Sequence, residues 1–164
     1  MLALFSRCLF VAAVVCSCFA IVGAVAGPKE TAQIKPRQDK LRDMGGALKA
    51  INDEIKKGKL DWDNTILPNV QTIRERSGYL LNWFPKGSGP ETGLKTYALP
   101  AIWQKNDDFV KLGKAMQAET LKLDQVAATR NGDALKAQVL ATGKACKACH
   151  DNYRSPDYEK DNEE

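Results

Sequence analysis

The chain of 164 residues contains a single histidine, His150. It has no alternating apolar–polar run long enough to read as a strand and no internal repeat, so a sheet protein and a repeat array are both excluded. Its charge is nearly balanced, with 24 basic against 20 acidic residues, too mild an excess to indicate nucleic acid as a partner. No nucleophile–base pair and no metal-hydrolase motif is present, and the chain is not expected to be an enzyme. Cysteine is also scarce where a fold would use it. Three of the five cysteines, Cys8, Cys16 and Cys18, fall in an apolar N-terminal run, leaving only Cys146 and Cys149 beyond it.

That run, "MLALFSRCLFVAAVVCSCFAIVGAVAG", carries one basic residue, Arg7, and ends in the small-x-small triplet Ala24-Val25-Ala26. Residues 1–26 read as a secretory signal peptide cleaved after Ala26. A membrane anchor is the alternative, because the run is near spanning length. A lipoprotein cut before Cys16 or Cys18 would leave an exposed apolar tail. Residues 27–164 are enough for one domain.

In that domain the apolar residues recur at spacings of three and four. Ile34, Leu41, Met44, Leu48, Ile51 and Ile55 form the face of a first helix, ended by Gly58. The pair Gly45-Gly46 inside it either admits close approach of something bulky or is a tolerated weak spot. A second helix is expected from about Asn64 to Trp83. Residues 84–100, with three prolines and three glycines, form a loop. A third helix is expected from about Ala101 to Thr129. After the turn "RNGD", where Gly132 before Asp133 suggests a cap, a fourth helix carries Leu135, Val139, Thr142, Cys146, Cys149, His150 and Tyr153 along one seam. The acidic end, residues 155–164, is expected to fray. Four amphipathic helices can bury their stripes only against each other, which predicts an all-α, up-down-up-down antiparallel four-helix bundle.

The one histidine stands directly after the cysteine pair, in "GKACKACHDNYR". C-x-x-C-H is the attachment signature of a c-type haem. Thiols on adjacent helical turns reach two vinyl groups on one porphyrin edge, and the following imidazole projects toward the iron. Cys146 and Cys149 would then be thioethers and His150 an axial ligand. A Cys146–Cys149 disulfide in a non-haem helical binding module would leave His150 unexplained. A thioredoxin-like site needs an α/β setting, and structural zinc needs four ligands where two cysteines and one histidine are on offer.

The motif near the C-terminus of an exported four-helix chain resembles the cytochrome c′ family, the bundle class of c cytochromes. "PRQDKLRDMG" is similar to that family's first-helix pattern, and "FPKGSGPETGLKTYALPAIW" to its loop before the third helix. The resemblance implies that Arg37 and Gln38 lie beside the haem propionates or edge, and that a basic residue at Arg154 flanks the proximal pocket. It places Leu41 at the distal position, where the family's low-spin relatives have methionine. Leucine cannot ligate, so an open site follows. Met44, one turn on, is the alternative sixth ligand, and then the protein is a low-spin electron carrier. The implied function is that of a periplasmic monohaem cytochrome. It would transfer single electrons to redox partner proteins and bind small diatomics such as nitric oxide (NO) or carbon monoxide (CO). The family also admits a homodimer. Lys144, Lys147 and Arg154 could steer an acidic partner, or form an ordinary solvated face.

Overall fold

The computed structural model describes residues 28–161. The signal-peptide reading of residues 1–26 lies outside the described residues. Four main helices are built where the apolar periodicity runs longest: α1 Ile34–Lys57, α2 Leu67–Gly78, α3 Asn106–Ala128 and α4 Gly132–Tyr153. α1 packs on α2 and α4, and α3 packs on α2 and α4, which closes a four-helix bundle. Among the described residues the only extended pairing is an isolated bridge between Ala98 and Arg154. No described helix is long and apolar enough to cross a membrane.

The ends of the helices follow from local chemistry. Gly58, at φ 68°, stops α1 by donating its backbone N–H to Ile55 O, a left-handed cap that glycine reaches without strain. Asn131, not Gly132, caps α4: its side chain accepts from the Ala134 N–H, and Gly132 is already the first helical residue.

The second and third helices differ from the periodicity reading. The span expected as one helix is a π-turn at Trp62–Ile66, then α2, then a 3-10 turn at Leu80–Trp83. Asp61 opens the π-turn by accepting from Asn64 N, and Pro68 sits in the first turn of α2. The third helix is broken at Lys105, which leaves Ala101–Gln104 as a separate short turn before α3. Neither glycine of the Gly45-Gly46 pair has another group within 4 Å of where a Cβ would stand, and both are exposed. Within this chain, therefore, nothing approaches the pair closely.

The expected fraying of the C-terminus is not met over residues 155–161. Asp157–Lys160 is a short helical turn. Tyr97 Oη donates to Asp161 at 2.8 Å, and Lys95 pairs with the same carboxylate at 3.0 Å. The apolar pattern is absent there because the segment is held by polar groups and rings, with Tyr158 edge-on to Tyr97.

Among the described residues the core forms three clusters, one of them around Ile102, Phe109 and Tyr153, and the other two differ in character. One end of the bundle holds a continuous aliphatic cluster that includes Ile51, Ile66, Leu123 and Leu135, all fully buried. The other region gathers Met44, Leu80, Trp83 and Met116, with Leu41, Phe84, Ala145 and Cys146 against them. Sulfur and aromatic side chains replace branched aliphatics there, a composition that adapts its shape to whatever it covers.

Candidate functional site

α4 places Cys146, Cys149 and His150 on its last two turns, each partly buried. Residues three apart are neighbours on one helical face, so the two thiols flank one strip of surface. Both are free thiols. Burial raises the pKa of each, and that of Cys149 reaches about 11, with Cys146 and Asp108 adding to the effect. The thiols are therefore protonated at neutral pH. Burial also lowers His150 to about 4, helped by the nearby Arg154 cation. The imidazole is neutral at physiological pH, the form that binds a metal.

A depressed histidine couples protonation to folding. The unfolded chain takes up a proton near pH 6.5 that the folded chain refuses until about pH 4. The stabilisation is therefore complete above pH 6.5 and is lost as pH falls through that window. In the haem-free chain, where His150 holds no iron, the urea midpoint should drop between pH 6.5 and 5, above the carboxylate range. His150→Gln should flatten that slope, and an unchanged slope would refute the assignment.

Leu41 and Met44 lie with Cys146 in the sulfur-rich cluster, so α1 faces the cysteine strip through both. Met44 is buried and Leu41 partly so. Met116 on α3 was legible in the sequence only as one more core position. Here its Sδ lies 3.6 Å from Cys146 Sγ.

Arg37 is not a solvated first-turn cation: it is 2% exposed. Its terminal nitrogens donate to Trp83 O, to Ser88 Oγ and O, and to Thr96 Oγ1, at 2.9 to 3.2 Å. The guanidinium also lies 4.7 Å from the centroid of the Phe84 ring. Those bonds occupy all four terminal N–H groups. Arg37 therefore braces the 84–96 loop from within the bundle. Burial lowers its pKa to about 10, opposed by Glu91, and it remains charged. Gln38 adds a second tie, donating to Lys95 O at 3.0 Å. Trp103 Nε1 closes the loop from the other side by donating to Phe84 O and Pro85 O.

Tyr153, one turn past Cys149, stacks edge-on with Phe109, which meets Phe84 in the same way. Its hydroxyl donates to Asp108 at 2.8 Å. Burial and that carboxylate raise the Tyr153 pKa to about 12. Sequence reasoning missed Phe84, Ser88, Thr96 and Asp108, because none repeats with helical spacing. Among the described residues no three histidine, cysteine, aspartate or glutamate side chains gather as a metal-ion set.

A sequence model described as Cytochrome C' matches residues 32–154, three quarters of the chain, with the cysteine strip at its end. The chain belongs to the cytochrome c′ family. It is 33% identical over 122 residues to a cytochrome c′ of Alcaligenes xylosoxydans xylosoxydans, covering 74% of this chain and 91% of that one. It is 31% identical to cytochrome c-556 of Agrobacterium tumefaciens, covering 74% and 96%. A cytochrome c-554 of Cereibacter sphaeroides is 39% identical over 74 residues, so the match spans about half of that protein. Among solved structures, cytochrome c′ from Thermochromatium tepidum superposes with a TM-score of 0.72 at 26% identity, over 77% of this chain and 96% of that one. A nitric oxide complex of a mutant cytochrome c prime from Alcaligenes xylosoxidans superposes at 0.69 with 27% identity, over 77% and 96%.

As a member of the family, the protein carries one covalently attached haem c. Its own residues fit that group. Two protonated thiols one turn apart, a neutral imidazole beside them and an adaptable sulfur-and-ring cluster facing them form the donor set a c-type haem uses.

Proposed function

We propose that this cytochrome is exported to the periplasm and uses an open iron site to bind small diatomics such as nitric oxide and carbon monoxide, and to pass single electrons. The observation that carries the reading is the cluster formed by Leu41, Met44, Met116 and Cys146. It supplies an apolar wall facing the cysteine strip of α4. Bound haem supplies the redox chemistry and an iron centre.

The chain's residues do the rest. Cys146 and Cys149 would hold the group as thioethers, and His150 would bind the iron through its neutral imidazole. Leu41, in the cluster that faces the cysteine strip, would shut out water and polar ligands. Arg37 and Gln38 fix the 84–96 loop, and the buried Arg37 charge would favour a haem carboxylate placed near it. No strong sixth ligand stands on α1 if Leu41 faces the iron. An uncharged diatomic then has to displace only a hydrocarbon side chain.

A second reading rests on one observation: Met44 is buried in the same cluster, one turn from Leu41. With Met44 bound to the iron, the protein would be a low-spin electron carrier. The optical spectrum of the reduced protein separates the two. The open site gives a broad five-coordinate, high-spin spectrum and immediate carbon monoxide binding. Leu41→Ala should then raise the carbon monoxide on-rate. A sharp low-spin spectrum, converted to high-spin by Met44→Leu, would overturn the open-site reading.

A further inference from the structure

The C-terminal segment contains an acid whose position the proposed haem site does not explain. α4 ends at Tyr153, and Arg154 follows in extended conformation, its N–H donating to His150 O at 3.1 Å. Its guanidinium is only partly open to solvent. It pairs with Glu159 and lies 4.2 Å from the centre of the Tyr158 ring. Arg154 is therefore held from two sides by residues that come after it in the chain.

The segment that does this is itself fastened. Ser155 N–H donates to Tyr97 O at 2.7 Å, and Leu99 N–H donates to Tyr153 O at 2.9 Å, flanking the Ala98–Arg154 bridge. Ser155 Oγ bonds Asp157, whose own N–H returns to Ser155 Oγ, which starts the short turn. Asp161 then ties to Tyr97 and Lys95. These contacts form a strap from the tip of the haem helix to the loop that Arg37 and Gln38 brace.

We propose that Glu159 is a positioning residue for the redox centre: carried by the 155–161 strap, it holds and offsets the Arg154 cation beside His150, and so lowers the reduction potential of the haem. This rests on His150 as the axial ligand. A cation close to the proximal ligand favours the reduced iron, which carries one positive charge fewer, and a carboxylate close by favours the oxidised iron. The two charges act on the His150 imidazole in opposite directions, together with Lys147 and Asp151 on its own helix. The pair is partly open to water, which keeps its effect modest.

The test is spectroelectrochemical titration of the intact holoprotein at low salt. Glu159→Gln should shift the ferrous-to-ferric ratio at fixed potential at least twofold toward ferrous, a rise of about 18 mV. Arg154→Gln should shift it the other way, and the double variant should return close to wild type. Glu159→Asp should restore part of the wild-type value. Amide exchange at Arg154 and Ser155 provides a second readout, and it should speed up in Glu159→Gln as the strap loosens. A Glu159→Gln potential equal to or below wild type, with an unchanged haem spectrum, overturns the role of Glu159. Failure of the haem assignment would look different: the wild type itself would show no histidine-ligated haem spectrum.

Discussion

Serine at both Cys146 and Cys149 is expected to give a protein whose haem is wholly extracted by acidified acetone, while the wild type keeps all of it. Both thiols lie on one face of α4 against the cluster that includes Leu41, Met44 and Met116. Serine preserves the size and the helix, so the bundle should still form and take up haem through His150 alone. What disappears is the pair of carbon–sulfur bonds, since a hydroxyl does not replace a thiol in adding to a vinyl group. The single variants should each retain haem through one thioether, with an absorption band displaced toward that of a one-vinyl haem. Full retention in the double variant would refute attachment at these residues. A double variant that binds no haem at all yet keeps a wild-type helical circular dichroism signal would show that the thioethers, and not the fold, hold the group.

The second large effect is on stability. Arg37→Ala should destabilise the holoprotein by about 3 kcal/mol, on the scale of leaving buried hydrogen-bond acceptors without donors. Ser88 is fully buried, and Trp83 O and Ser88 O lose their partner at a stroke. Arg37→Lys keeps the charge but cannot fan out to four oxygens, so it should recover less than half of the loss. Urea unfolding followed by helical circular dichroism measures both. If Arg37→Ala matches the wild-type midpoint, the loop does not depend on this brace. The loss should be accompanied by exposure of Trp103, whose indole N–H is anchored on Phe84 O and Pro85 O of the same loop.

Much of the bundle could be read before any coordinates because helical burial repeats. Leu123, Leu135 and Ile51 fall on three-and-four spacings and are fully buried. Glycine at position 58 marked the end of α1 because a left-handed residue there is cheap only for glycine. The attachment motif was legible for a different reason: three reactive groups within five residues need no tertiary information to be recognised. The partners of Arg37 were hidden for the opposite reason. Ser88 and Thr96 lie 51 and 59 residues away, in a loop without periodicity. A first-turn arginine looks the same whether it is solvated or buried. The breaks at Trp62–Ile66 and Lys105 were hidden too, since a π-turn and a one-residue interruption leave the apolar spacing almost intact. The tail was misread because low hydrophobicity suggests fraying, whereas Tyr97, Lys95 and Arg154 hold it through ion pairs, hydrogen bonds and ring contacts.

The strap also sets an order of events in time. Tyr97 meets Asp161 across 64 residues of chain. The α1–α2 pair joins residues much nearer in the chain and can form before that contact. Contacts that join distant parts of a sequence form late, because the intervening loop must first be closed. The 155–161 strap is thus expected to lock after the helices it spans, because its contacts close the longer loop.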